Sequence, residues 1–590
     1  MASRKPIDYL TEADRLEQAG DLVKAAEAAA RALALSPETD EIRLYLAKLL
    51  KLNGRTDEAY AHYRRQLKLG RTDLDLQVNL VEMLRLQTDR AADPDLEDEI
   101  RQCLAFPNVD HNMLARVAAA RLNHKHPAGP RMKPPDPAEC CKDDFLISTL
   151  AKIYFTDSDL EPTLKALRRA LLLEILSSGT LCSDRVGLIT AMALQGANNE
   201  YVYGIDDQEK RMLAALLQLQ EALIAGDGPS TGLLGAVLAA AMYMPICDMP
   251  VAHRLQSIHL TDWPENVRPL ISSTLLDRLV EREIAAAVPR LLPIRDEVSK
   301  LVKAQYEEHP YPRWLSVAYR PKVSYRADLQ SRLPRAELPD ILDRGKLEVL
   351  VAGCGTGRQP ISIAKTYKDI SVTALDLSSM SLAYGMRMAA GMGIDNIEFH
   401  QGDILDLPHL DKRFALIYCS GVLHHMRDPV AGWRVLCGML EPGGMMNIAL
   451  YSERARAVIA RAREIIAGAG IGNDAEAIRG FRRDVLAGRY GKELAPLTGI
   501  ADFYSLSGCR DLVFHVQEHR FSLPRIDEIR RELGLVVMGF NLLPPAFQAA
   551  YRRKFPGDPG MADLANWDML EEMNPGMFLN MYNLWFRTEN

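Results

Sequence analysis

The chain has 590 residues, 48% of them hydrophobic and 25% charged, and a net charge of −7. That length suggests roughly three or four domains at about 150 residues each, with composition ordinary for packed soluble domains. No global field favours nucleic acid, and nine scattered cysteines without a CxxC pair suggest neither a zinc site nor a disulfide scaffold.

Cysteines in apolar runs read as small buried hydrophobes in a reducing compartment. The N-terminus, MASRKPIDYLTEADRLEQAG, has no apolar core of a signal peptide. The most hydrophobic stretch, Gly232 to Cys247, contains Pro245 and falls short of the ~20 residues a membrane span needs. A cytosolic, cytoplasmic protein without membrane contact is expected.

From the front, a shift of 34 positions superposes Ala13 on Ala47, Leu16 on Leu50, Gly20 on Gly54 and Ala25 on Ala59. A weaker third register maps Leu46 to Leu80 and Leu50 to Leu84, until Asp93-Pro94 breaks it. This period, with small residues where paired helices cross, resembles the tetratricopeptide repeat. Over residues 1–130 the resemblance implies stacked helical pairs whose concave surface takes a protein or peptide partner. The bland alternative is that the helices dimerise the chain into a homo-oligomer or pack on its remainder.

Residues 140–295 again read as helical. Phe145, Leu150, Ile153 and Tyr154 share a face, and Leu167, Leu171 and Ile175 continue the spacing. No catalytic constellation is visible in this module. In the region 300–590 the texture changes from Glu348 onward. Glu348 to Ala352, Ile370 to Asp376, Ile397 to Gln401, Phe414 to Ser420 and Met445 to Leu450 read as strands, with a helix over Ile361 to Tyr367. Strands separated by helical patterns argue for a parallel, doubly wound sheet, whose ligands bind beyond the strands' carboxyl ends.

VLVAGCGTGRQP (Val349 to Pro360) occupies such a place. The dinucleotide spacing GxGxxG fails in both registers, at Arg358 and at Pro360, and no Gly-Lys-Ser/Thr follows for a phosphate loop. What remains is GxGxG, with Asp376 placed to accept hydrogen bonds from a ribose diol.

With the motifs that follow, the segment resembles class I S-adenosylmethionine-dependent methyltransferases. The resemblance implies an α/β Rossmann-like seven-stranded domain behind the all-α repeat array and helical module. It makes Gly353, Cys354, Gly355, Thr356 and Gly357 the cofactor loop for S-adenosyl-L-methionine. In ALDLS, Asp376 is the ribose ligand and Leu377 lies beside the adenine; in GDILDLP, Asp403 and Ile404 flank the adenine. In YCSGVLHHMRDP, Ser420 and Gly421 line the methionine end, and LEPGG (Leu440 to Gly444) is the turn before the fifth strand. Leu535 to Asn541 and Met581 to Thr588 supply the last two strands, the final one antiparallel. Many family members carry an acid two positions before the first glycine, whereas this chain has Val351. The arrangement as a whole resembles bacterial tetratricopeptide-repeat methyltransferases.

His424 and His425 follow the fourth strand and are candidate bases, against a capping or packing role. An insertion over 451–522 begins basic, with nine basic and four acidic residues between Arg454 and Lys492, which suits an acidic substrate or a solvated helical face. Nucleic acid is the minority reading. Within FYSLSGCRDLVFHVQEHRFSLP, His515, Glu518 and His519 match the HxxEH zinc pattern, but the flanking residues leave little room for its helix, so no metal is expected. That cluster, with Tyr504, is expected to form a lid over the site or a structural network. YEEHPYPRW (Tyr306 to Trp314) is expected to cover cofactor or substrate, with Tyr311, Arg313 and Trp314 offering stacking surface and a cation.

Overall fold

The structure is a computed structural model and describes residues 4–588, apart from 20, 108, 128–134, 179–180, 225–230, 319–321 and 542. The chain forms two compact units. One comprises Met1–Ala170 with Leu315–Pro321, the other Leu171–Trp314 with Lys322–Asn590. The division runs through the helix Leu160–Ser178.

In the first unit, helices start at Pro6, Asp40 and Leu74, spaced by 34 residues, and the alternate helices start at Leu22 and Thr56 with the same spacing. Ala13 and Ala47, like Ala25 and Ala59, are fully buried. Side chains this small let neighbouring helices approach closely. Asp21 and Asp73 accept the Lys24 and Leu76 backbone N–H groups and so cap two of the helices. Gly54 turns at φ 73° between the second pair, while its equivalent, Gly20, lies outside the described residues. After Leu84 the period ends in a 3₁₀ turn, Thr88–Ala92. There the buried Glu99 accepts hydrogen bonds from Tyr60, Arg64 and Arg90.

The second unit is built on a seven-stranded sheet: β1 (Leu347–Ala352), β2 (Ile370–Asp376), β3 (Ile397–Gln401), β4 (Phe414–Ser420), β5 (Leu440–Leu450), β6 (Leu535–Phe540) and β7 (Tyr582–Thr588). Their order is β3-β2-β1-β4-β5-β7-β6, parallel except for β7, which runs antiparallel to β5 and β6. The strand order reverses between β1 and β4, which puts a ligand crevice at their carboxyl ends.

Two boundaries differ from the sequence reading by three residues or more. The helix after the glycine turn starts at Arg358, because Gly357 in left-handed conformation precedes it directly. Leu440 to Gly444 is already part of β5: Leu440 pairs with Phe414, and the ladder shifts before Leu416 pairs with Met445.

The upstream helices of this unit pack directly on the sheet's own helices. Helix Asp277–Ala287 lies against Ser379–Gly391, where Arg387 meets Glu281 at 2.9 Å and Asp277 at 3.3 Å. Helix Thr231–Ala241 is apolar and deeply buried, and no helix among the described residues is long and apolar enough to cross a membrane.

The insertion is helical, with Ala457–Gly468, Ala475–Leu486 and Leu506–Val513 as its main elements. Much of its basic run is spent internally. Arg454 pairs with Asp568, Arg461 with Glu493 and Arg489 with Asp484, while the buried Arg482 donates to the Phe503 and Val202 carbonyls. The basic excess therefore stitches the insertion to its surroundings instead of presenting a uniform cationic face.

Candidate active site

The loop between β1 and helix Arg358–Thr366 is tied to β2, since the Gly353 and Cys354 N–H groups both donate to the Leu375 carbonyl at 2.8 and 2.9 Å. Gly353, Gly355 and Gly357 all have positive φ, and each answers a different neighbour. A Cβ on Gly353 would stand 2.1 Å from Val422, one on Gly355 2.5 Å from the Tyr311 carbonyl oxygen, and one on Gly357 2.9 Å from Gly385 Cα. The third glycine thus serves helix packing.

Asp376 closes β2. Its Oδ2 accepts the Gly355 N–H at 2.7 Å and its Oδ1 the Ser378 N–H at 2.9 Å. Burial raises its pKa to about 6, although both main-chain donors oppose the shift. Each oxygen keeps a lone pair, so the carboxylate is oriented to take a vicinal diol.

Nearby, Asp403 accepts the Leu405 N–H and caps the turn Ile404–His409, while Ile404 belongs to the apolar core. Gln401 donates to the Leu377 carbonyl at 2.9 Å. Beyond Ser420, Gly421 turns at φ 77°, and a Cβ there would meet nothing within 4 Å. Val351 is fully buried, in register with Ala374 and Tyr418, and offers no charge. An oriented carboxylate, a glycine-rich loop and an open β4 end fit an adenosine cofactor.

The segment Tyr306–Trp314 lies on this loop. Trp314 Nε1 donates to the Thr356 carbonyl and hydroxyl at 3.2 and 3.1 Å, the Thr356 hydroxyl donates to the Pro312 carbonyl, and Tyr384 donates to the Trp314 carbonyl. Thr356 therefore spends its side chain on the cover. Glu307 accepts the N–H groups of Ser379 and Met380, at 3.0 and 3.1 Å, at the start of the next helix.

Beside the cover a buried polar cluster gathers from β4, β5 and the insertion. The Gln517 N–H donates to His515 Nδ1 at 3.2 Å, which leaves the His515 proton on Nε2, 3.2 Å from the Tyr306 hydroxyl. Tyr306 in turn donates to Asp511 at 2.5 Å, and Tyr311 donates to Asp502 at 3.1 Å. His425 stacks on His515 at 3.6 Å and donates from Nδ1 to the Gln517 carbonyl at 2.7 Å. His424 stacks on Tyr451 at 3.7 Å, and neither of its ring nitrogens has a partner among the described residues. Arg456 lies 3.5 Å over the same tyrosine and is paired with Glu518.

Burial dominates the protonation states. It pushes His425 down to about 4 and His424 and His515 well below the usual imidazole range, so all three are neutral at neutral pH. The same burial lifts Asp502 and Asp511 to about 6.

The HxxEH pattern does not form a metal site of its own kind. Residues 515–519 are not helical, and Glu518 is bound to Arg456. His425, Asp511 and His515 do offer donor atoms within 4.8 Å of one another, but both nitrogens of His515 are already engaged. His519 Nε2 accepts from the Gln517 side-chain amide at 3.0 Å, and the His519 main-chain N–H donates to the His424 carbonyl. Tyr504 departs from the expected cluster: its hydroxyl donates to the Thr498 carbonyl, and its ring packs near Arg482 and Phe503 within the insertion.

Residues 349–444 match the family model described as a methyltransferase domain. The chain carries a methyltransferase domain. An uncharacterized protein of Synechococcus sp. is 34% identical over 207 residues, covering 34% of this chain and 46% of its own length. Trans-aconitate 2-methyltransferase of Deinococcus radiodurans is 30% identical over 121 residues, covering 20% of this chain and 41% of its own. This chain thus spans less than half the length of the curated relatives it matches. Among solved structures, PKMT2 from Rickettsia typhi in complex with AdoHcy is similar at 17% identity and a TM-score of 0.35, covering 46% of this chain and 55% of its own.

C-terminal to the matched segment 349–444, sequence reasoning passed over Tyr451, Asp502 and Asp511. Tyr306 sits in the quoted YEEHPYPRW stretch, but the acids that it and Tyr311 contact lie 205 and 191 positions away. No spacing rule links such positions.

Proposed function

We propose that this protein transfers methyl groups from S-adenosylmethionine to a protein or peptide, recruited by tetratricopeptide-like repeats over residues 1–130. In this reading 140–295 is a helical support and 300–590 the catalytic domain. The observation that carries it is Asp376, a half-buried carboxylate oriented by the Gly355 and Ser378 main-chain N–H groups to take a diol, inside a segment that matches methyltransferase domains.

When bound, the cofactor supplies a methyl group on a positively charged sulfur, open to in-line attack. The chain's part is positioning and proton handling. Asp376 takes the ribose hydroxyls, and the Tyr306–Trp314 segment shields the loop from water. With Nδ1 donating to Gln517, the neutral His425 keeps Nε2 as an acceptor for a nucleophile's proton. The His515–Tyr306–Asp511 chain holds a second proton path beside it.

The 34-residue spacing of helix starts supports the repeats as a docking array. The name of the Deinococcus relative favours a second reading, a small-molecule acceptor with the repeats serving assembly.

The test is transfer of radiolabelled methyl from S-adenosylmethionine into fractionated host lysate, with Asp376→Ala as control. Label in a protein band, lost with the variant, is the expected result. Label confined to small molecules supports the second reading. No label with cofactor binding intact refutes both and leaves a cofactor-binding scaffold.

A further inference from the structure

Asp502 and Asp511 stand in the turn Ala501–Tyr504 and the helix Leu506–Val513 of the insertion. Each accepts one phenolic donor, Tyr311 or Tyr306, and no Arg or Lys side chain pairs with either among the described residues. The cations that influence them make no hydrogen bond to either acid, although Arg463 Nη1 has no partner among the described residues. Arg456 is bidentate with Glu518 and also bonds the Leu512 carbonyl, and Arg463 donates to the His515 carbonyl. Asp511 is buried and Asp502 half-buried, and holding two such carboxylates without a counter-ion is costly, so a site of this kind is completed by a cation that arrives with a ligand.

The surroundings suit an organic cation. Tyr306 and Tyr311 stack with ring centroids 6.5 Å apart. Aromatic faces and carboxylates together select ammonium groups.

Position narrows the choice. The acids are bonded to tyrosines of the segment that lies on the cofactor loop, and the Tyr311 carbonyl presses on Gly355 so closely that no Cβ fits between them. On the sheet side of that loop Val351 supplies no anion. The ligand that reaches this loop in the reading above carries an amino-acid arm with an ammonium group.

We propose that Asp502 and Asp511 bind the α-ammonium of the cofactor's amino-acid arm, so that the insertion completes the cofactor site. This rests on the S-adenosylmethionine reading, and the test separates the two.

Full-length protein is titrated calorimetrically with S-adenosylhomocysteine and with 5′-methylthioadenosine, which keeps the adenosine and lacks the arm. Asp502→Asn and Asp511→Asn preserve an acceptor for each tyrosine and remove the charge. The expected result is about 10- to 100-fold weaker binding of S-adenosylhomocysteine by each variant, the loss of a charge-assisted hydrogen bond, with methylthioadenosine binding unchanged. Unchanged S-adenosylhomocysteine affinity overturns the assignment and turns the acids toward an amine of the methyl acceptor. Equal losses for both ligands overturn it in favour of a structural role. Failure of wild-type protein to bind either ligand refutes the cofactor reading and this inference with it.

Discussion

Gly355 shows how much one residue carries here. Its φ of 52° is a conformation that costs a side-chain-bearing residue about 1–2 kcal/mol, and the space for a Cβ is taken by the Tyr311 carbonyl. Gly355→Ala is therefore expected to lower the melting temperature and, by lifting the cover or turning the loop N–H away from Asp376, to weaken cofactor binding. Calorimetric titration beside a thermal melt checks both. His425 makes a prediction of another kind. Its pKa is about 4 in the folded chain and 6.5 in the unfolded reference, so below 6.5 the unfolded state binds more protons and stability falls as pH drops toward 4. His425→Gln removes that contribution and is expected to lose less stability than wild type across the window. The raised acids Asp502 and Asp511 act in the opposite sense but are present in both proteins, so they cancel in the difference. Denaturant midpoints measured across that pH range decide it.

At the scale of elements, short repeating patterns were readable and irregular ones were not. The limits of β4 follow directly from an apolar run, because a strand buried on both faces needs one, whereas β2 (ISVTALD) and β3 (IEFHQ) show partly alternating residues between turn signals. The 34-residue spacing likewise sets helix starts, because each pair must present the same small residues to the next. The segment Tyr306–Trp314 carried a weaker signal: aromatic and basic residues between prolines suggested a cover, but not what it would touch. Its anchors proved to be a backbone carbonyl and a hydroxyl on the loop, and the helix N-terminus held by Glu307. Main-chain partners leave no trace in residue identity.

At the scale of the whole molecule, the sheet and its upstream helices belong to one of two compact units. Glu281, nearly inaccessible, joins Arg387 across that packing and also meets Arg278. Glu281→Ala leaves both guanidinium groups short of a partner and is expected to cost about 2–3 kcal/mol, the usual worth of hydrogen bonds to charged groups. A lower urea midpoint in the full chain, followed by tryptophan fluorescence, is the readout. An unchanged midpoint means that the apolar contacts alone hold these helices to the sheet.

The sequence by itself determined the alternation of strands and helices, the glycine loop with Asp376 at the next strand end, and the helical period at the front. All of these rest on interactions within a few tens of residues, where periodicity and backbone freedom are written into residue type. Only the tertiary structure decided that Tyr504 turns inward to Thr498, that the basic run of the insertion is spent on internal pairs, and that Asp502 and Asp511 meet Tyr311 and Tyr306. Those outcomes depend on how a long irregular segment closes over the sheet. Burial and hydrogen-bond satisfaction choose such partners, and they act on distances through space that no spacing along the chain encodes.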